Sequence, residues 1–386
     1  RVVRGRAGPR ASALPPTMII DQMKKAADDA KGAAAELVVQ QKVNEKLTRA
    51  QEKYDVPEKY MQVMRGFFTS YMTECYKAGR DMDKQEATLT AVFTKVLECA
   101  KDPYQFEPFH QAIREPYDYY ALGTDFASGV INLESSLLKG LDNIDEINAR
   151  LAAGDNVVLL ANHQSEADPQ IFSCLLDDAY PGFAEKTIFV AGDRVTTDLL
   201  AQPFSMGRNL LCIFSKKHID SVPELKSQKS RHNRMVMKTM QNLFTEGGKL
   251  IWVAPSGGRD REGDDGKYVV SDFDSKSVEM FRLMADKAKR PTHFYPLAML
   301  TYPICPPPKA VGGAVGESRT VKFSPAGLHF GDAVDTETFL QGCLAENFPA
   351  GCTEAESRER LRNELTKHVH SIVAANYDAL AEELAL

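Results

Sequence analysis

Apolar residues recur at helical spacing from residue 18 to about residue 101, in stretches separated by short polar breaks. The clearest stretch opens at Asp55-Val56-Pro57 and places Tyr60, Val63, Met64, Phe67, Phe68, Tyr71, Met72 and Cys75 along one stripe before Gly79 ends it. Another runs through Leu89, Val92, Phe93, Val96 and Leu97, and two alanine-rich stretches, Met18–Val38 and Gln41–Tyr54, precede both. Successive amphipathic helices with one apolar stripe each predict an N-terminal four-helix bundle, in which the Phe and Met residues form the core.

Beyond Lys101-Asp102-Pro103 the pattern changes. A stretch rich in proline and aromatic residues, through Phe106, Phe109 and Tyr117, leads into apolar runs of strand length. These runs are Val157–Ala161, Thr187–Ala191, Leu210–Phe214, Lys249–Ala254, Phe294–Leu300 and Thr320–Phe323. Helical patterns lie between several of them, over Asn143–Ala153, Pro169–Asp177 and Gln228–Glu246, and a last helix is predicted over Glu354–Leu386. Strand and helix in alternation predict an α/β domain, with a mixed, mostly parallel sheet flanked by helices. The expected organisation is therefore a bundle over residues 18–101 and a larger α/β domain over 102–386, with no internal repeat.

Composition changes this picture little. Hydrophobic residues make up 43% and charged residues 26% of the 386, values ordinary for a globular protein. The net charge of -6 argues against nucleic acid as the principal partner, since phosphate backbones select basic surfaces. Seven cysteines are scattered with no Cys-x-x-Cys pair, which points to neither a zinc site nor a redox motif and fits a reducing compartment. No apolar run reaches the roughly 20 residues of a membrane-spanning helix; a transient contact with a membrane surface is all that a lipid-handling role would need. The first 17 residues carry Arg1, Arg4, Arg6 and Arg10 with no acidic residue, and are expected to be the disordered remnant of an organelle transit peptide.

The chemistry gathers where strands are predicted to end. Val157–Ala161 is followed at once by Asn162-His163 and, after four intervening residues, by Asp168-Pro169. In an α/β sheet ligands bind beyond the carboxyl ends of the strands. Asp168-Pro169 reads as a helix start with Asp168 able to cap it, and the tight loop can fold Asp168 back on His163. A carboxylate on one imidazole nitrogen fixes the tautomer and stabilises the imidazolium formed when the other nitrogen accepts a proton. A lone histidine after a strand is more often structural, so this spacing alone does not decide for catalysis.

Two basic groups also follow predicted strands: Ser215-Lys216-Lys217-His218 and Ser256-Gly257-Gly258-Arg259-Asp260-Arg261. Glycines let backbone N–H groups approach a ligand, and arginines two residues apart share one side of an extended segment. Guanidinium forks suit phosphate oxygens. Each basic run by itself reads as a solvated surface; together with His163 they mark three strand ends of complementary chemistry. Spacing does not choose between Lys216 and Lys217, which face opposite ways in an extended chain. The acidic loop after Arg261, with Glu262, Asp264 and Asp265, must point away from a bound phosphate or repel it.

Asn162-His163-x4-Asp168-Pro169 resembles the His-x4-Asp block of glycerolipid acyltransferases. Gly192-Asp193-Arg194, then Ser215 to His218, Ile251 to Arg261 and Phe294-Tyr295-Pro296, resemble in order the blocks of the soluble plastid glycerol-3-phosphate acyltransferases, including Ser256 where membrane relatives carry Glu. The resemblance covers roughly residues 18–386. It implies transfer of an acyl group from acyl–acyl carrier protein, or acyl-CoA, to the sn-1 hydroxyl of glycerol 3-phosphate in the plastid stroma. It also implies His163 as general base, Asp168 as its partner, and Lys217, His218, Arg259 and Arg261 as phosphate ligands, with no cofactor and no metal. Donors near Gly257-Gly258 or the Pro169 helix start are candidates for stabilising the oxyanion. No Gly-x-Ser-x-Gly elbow is present, which argues against a serine nucleophile. Lys226, Lys229, Arg231, Arg234 and Lys238 form a candidate docking face for an acidic carrier. Two rivals are an acyltransferase for a monoacylated phospholipid and a non-catalytic phosphate- or lipid-binding module.

Overall fold

The computed structural model describes residues 36–49, 51, 58–214, 223–264, 266–307, 319–346 and 353–386. The N-terminal 17 residues and the first expected helix, apart from its last three residues, lie outside these. Among the described residues one sheet contains β1 (Phe109–His110), β2 (Leu137–Lys139), β3 (Asn156–Ala161), β4 (Ile188–Gly192), β5 (Asn209–Ile213), β6 (Leu250–Val253), β7 (Thr292–Leu300) and β8 (Gly327–Phe330). Their order across the sheet is β1-β5-β4-β6-β3-β7-β8-β2. From β5 to β7 all neighbours are parallel; β1 joins β5 and β8 joins β7 antiparallel, and β2 lies parallel to β8. The mostly parallel, mixed sheet agrees with the α/β pattern of the sequence.

Alternation along the central strands explains why they read as continuous apolar runs. Val157, Leu159 and Ala161 of β3 face a core with Phe172 and Leu176 from the helix Asp168–Leu176 and with Ile144 and Ile147 from the helix Leu141–Ala152. Val158 and Leu160 face the opposite core, filled from the helices Lys226–Glu246, Ser275–Lys287 and Glu354–Leu384. A strand covered on both faces needs apolar residues at every position.

One expected strand is absent. Residues 319–323 form no strand; Ser324 makes an isolated bridge to Ile131, and pairing with β7 begins only at Gly327. The apolar alternation of Val321 and Phe323 serves a different surface: Val321 is buried against the N-terminal helices, where its N–H donates to Ser70 Oγ at 3.2 Å, and the N–H of Phe323 donates to Glu74 at 2.9 Å.

Of the N-terminal helices, residues 36–49 are helical without the break expected before Gln41. The helices Glu58–Lys77 and Met82–Lys101 form a hairpin. Gly79 takes the left-handed conformation (φ 64°) that ends the first, and the Asp81 carboxylate accepts from the N–H groups of Asp83 and Lys84 to cap the second. Their apolar stripes share a core with the helix Tyr119–Ser128 and with Ile171 and Ile304; Tyr71 stacks on Phe126 at 4.1 Å. The helix Asp168–Leu176 thus lies between this layer and the sheet, with Ile171 facing one and Phe172 the other.

The turn from β2 into the helix Leu141–Ala152 depends on Gly140, which has φ 74° and whose added Cβ would sit 2.0 Å from the Phe330 carbonyl oxygen. Gly140→Ala is expected to lower the unfolding free energy by more than about 1 kcal/mol, read as a lower urea midpoint at unchanged slope. An unchanged midpoint would mean that the β8 backbone gives way at no cost.

Candidate active site

Three segments converge beyond the carboxyl ends of β3, β6 and β7. The first starts with Asn162, directly after β3. Its side-chain amide bonds both backbone groups of Met299, accepting from the N–H at 2.7 Å and donating to the carbonyl at 2.9 Å, and donates to Asp260 Oδ2 at 2.9 Å. Two residues on, Gln164 Oε1 accepts from the N–H groups of Thr301 at 3.0 Å and Tyr302 at 3.3 Å. The loop that carries His163 is therefore fastened to the end of β7 before and after the histidine.

Asp168 is fully buried, and its carboxylate accepts from four donors. Nδ1 of His163 donates to Oδ2 at 2.7 Å and the Gln164 N–H donates to the same oxygen at 3.0 Å. The Ser165 N–H donates to Oδ1 at 3.0 Å and the Thr301 hydroxyl at 2.5 Å. A carboxylate offers about four lone-pair sites, so all are engaged. This differs from the capping role expected of Asp168: it is the first residue of its helix, Ala167 holds the cap position without a side-chain bond, and the carboxylate turns back to the loop. The donation fixes the neutral imidazole with its proton on Nδ1, which leaves Nε2 as the basic nitrogen. The His163 side chain is 27% exposed, with its ring edge-on to Trp252 at 5.8 Å between centroids.

The segment after β6 brings the arginine pair. Gly257 has φ 67°, and the chain then passes through Arg259, Asp260 and Arg261, of which Asp260 is fully buried and the arginines are half-buried. The Asp260 N–H donates to the His163 carbonyl at 2.6 Å, and its carboxylate accepts from Asn162 and, at 2.9 Å, from the Ser271 N–H. Asp260 thus latches the arginine segment to the histidine segment through backbone and side chain at once. Burial raises the Asp260 pKa, against the lowering effect of the Asn162 and Ser271 bonds and of nearby His163. In the loop beyond, Glu262 and Asp264 are exposed.

Lys217 and His218, with Ser215 and Lys216, lie outside the described residues. The chain leading to them is held at Phe214, whose N–H donates to Asn233 Oδ1 at 2.8 Å and whose carbonyl accepts from Asn233 Nδ2 at 2.9 Å. This point lies beyond the carboxyl end of β5, three strand spacings from β3, or roughly 14 Å. Of the donors considered for an oxyanion, the N–H groups of Asp168, Gln170 and Gly257 are already bonded to the carbonyls of Ser165, Ala167 and Ala254, and Pro169 has none. The helix start therefore has no donor to offer in this arrangement. Thr301 was not foreseen because it lies 133 residues from Asp168; Asp260 had one signal, its place between two arginines.

The central strands β3 to β7 of the mostly parallel sheet and the His163–Asp168 pair at the end of one of them lie within residues 138–300, which the Acyltransferase family model matches, and this places the chain in the acyltransferase class. The chain is similar to the chloroplastic glycerol-3-phosphate acyltransferases of Spinacia oleracea (38% identity over 77% of this chain and 64% of that protein) and Arabidopsis thaliana (39% over 70% and 59%). With the protein of the same name from Phaseolus vulgaris it shares 34% identity over 85% of this chain and 69% of the relative. The chain belongs to the family of chloroplastic glycerol-3-phosphate acyltransferases, and it spans less than two thirds of the length of the spinach and Arabidopsis members.

Two outcomes follow from this geometry. Thr301→Val removes the hydroxyl donor to a buried carboxylate, and is expected to destabilise the protein by about 1.5–3 kcal/mol, the worth of a hydrogen bond to a charged group; thermal and denaturant unfolding measure it. For Asp260 the folded pKa is raised, so the folded state holds this proton more tightly and the contribution to stability falls as pH rises. The stability of the wild type relative to Asp260→Asn is expected to be greatest near pH 4 and to decrease toward neutrality. Paired urea titrations between pH 4 and 7 check the sign.

Proposed function

We propose that the protein transfers an acyl group from a thioester to the sn-1 hydroxyl of glycerol 3-phosphate, with acyl–acyl carrier protein as donor and acyl-CoA as a usable alternative. The 2.7 Å bond from His163 to the buried, fully bonded Asp168 is the observation that carries it, with the Asp260 latch to the Arg259–Arg261 segment in support. Nε2 of His163 takes the proton of the sn-1 hydroxyl, and Asp168 stabilises the imidazolium formed. The alkoxide attacks the thioester carbonyl, and the tetrahedral intermediate collapses to lysophosphatidic acid as the C–S bond breaks. The imidazolium returns its proton to the departing thiolate, so His163 ends neutral. Arg259 and Arg261, with Lys217 and His218 from the segment after β5, bind the phosphate and present the hydroxyl to His163.

On the helix Lys226–Glu246, Lys226, Arg231, Arg234 and Lys238 are exposed, whereas Lys229 lies 5.6 Å from the Phe214 ring centre. Their charge suits an acidic acyl carrier. The chloroplastic names of the relatives support a plastid location, for which the stroma is the proposed compartment.

Incubation of the purified protein with glycerol 3-phosphate and acyl–acyl carrier protein or acyl-CoA is expected to yield 1-acylglycerol 3-phosphate, identified by mass spectrometry; absence of this product with either donor overturns the proposal. His163→Ala is expected to lower kcat by about two to four orders of magnitude in a folded protein. Arg259→Ala, Arg261→Ala and Lys217→Ala are each expected to raise KM for glycerol 3-phosphate at least about tenfold, with KM for the donor little changed. Each removes a charge-assisted contact worth about 1.5–3 kcal/mol. Unchanged acceptor affinity in all three would place the phosphate elsewhere.

A further inference from the structure

We propose that Arg319 is a positioning residue for the His163 loop, clamping Glu166 within that loop to Asp198 on the segment after β4. Nη2 of Arg319 donates to Glu166 Oε2 and to Asp198 Oδ2, each at 3.0 Å, and Nε donates to Glu166 Oε1. The Arg319 side chain is 6% exposed, so the clamp operates where water screens little. Burial alone would lower the Arg319 pKa; the two carboxylates outweigh it and hold the side chain charged.

The topology shows what the clamp spans. β3 and β4 are not neighbours, because β6 lies between them, so the segments leaving them start about 10 Å apart. Arg319 crosses this gap. Asn162, Gln164 and Asp168 fasten the His163 loop to the end of β7 on one side, and Asn162 and the His163 carbonyl fasten it to Asp260, after β6, on the other. Glu166, three residues from the histidine, ties the loop through Arg319 one strand further out, to the segment after β4. Asp198 is itself held, since its Oδ1 accepts from the Leu200 N–H at 2.9 Å. Arg319 therefore fixes the loop laterally, whereas the Asp168 network fixes the imidazole within it. A lysine keeps the charge but offers one nitrogen in place of the fork, so it loses the two-pronged grip of Nε and Nη2 on Glu166.

The effect on turnover rests on the acyl-transfer reading, so the test has one readout that depends on it and one that does not. The first is steady-state kinetics of Arg319→Lys and Arg319→Met; the second is the downfield imidazole proton resonance of His163 Nδ1, assigned by its absence in His163→Ala. If Arg319 positions the loop, both variants stay folded by circular dichroism, and kcat falls by up to about a hundredfold, the effect of a misplacement near 1 Å. Each KM stays within about threefold, and the Nδ1 resonance shifts or broadens. Wild-type protein that makes no acylated product sinks the acyl-transfer reading alone, and the resonance still decides for or against the clamp. A resonance identical to wild type, with only the melting temperature lowered, overturns the proposal and leaves Arg319 a structural ion pair. Should both Arg319 variants fail to fold, Glu166→Gln opens the clamp at a partly exposed side chain and is judged by the same two readouts.

Discussion

The site depends on a carboxylate kept charged where there is no water to solvate it. Asp168 is fully buried, and an ionised carboxylate in that position is tolerable only because four donors surround it. Two of these are backbone N–H groups of the loop that separates it from His163, one is the imidazole, and one comes from the end of β7. The loop can satisfy Asp168 only by curling around it, and in curling it turns Nδ1 of His163 inward. The demand for hydrogen bonds on a buried charge thus sets the conformation of the chain and the tautomer of the ring together.

A second constraint links this loop to the arginines. Asp260 lies between Arg259 and Arg261 in sequence and points into the protein, where it meets Asn162 and the backbone of Ser271. Its own N–H reaches the carbonyl of His163. The two half-buried arginines are therefore carried by a residue that cannot move independently of the histidine segment. Such a latch fixes the distance between the arginines and the histidine. Arg319 extends the arrangement sideways to the segment after β4.

These contacts need a rigid base, which the three layers supply. The helix Asp168–Leu176 is covered on one side by the sheet through Phe172 and on the other by the helix Tyr119–Ser128, which in turn packs against the N-terminal helices. The N-terminal helices therefore bear on the site indirectly, through the helix Tyr119–Ser128 that packs against the helix beginning with Asp168. The Tyr71 hydroxyl, donating to buried Gln85 at 2.6 Å, joins the two N-terminal helices to each other, and Arg80, donating to the carbonyls of Gly129 and Ile131, ties their turn to the chain that follows the helix Tyr119–Ser128.

Much of this was legible in the sequence because it is local. The central strands were readable as apolar runs, since burial on both faces demands apolar residues at every position, and the helices Leu141–Ala152 and Lys226–Glu246 carried their own period. The His163 and Asp168 pair could be anticipated because it is closed within one short loop. The segment 320–323 misled for the same reason: its alternation is real, but the surface it fits belongs to the helices Glu58–Lys77 and Met82–Lys101 rather than to a sheet. What the amino-acid order determined by itself was the class of fold, the strand ends and the residues with suitable chemistry. Only the tertiary structure decided the partners: Thr301 for Asp168, Asn162 for Asp260 and Arg319 for Glu166, pairs separated by 133, 98 and 153 residues. A buried polar group takes whichever donor or acceptor the packing brings within about 3 Å, and at such separations no periodicity or spacing along the chain records which one that will be.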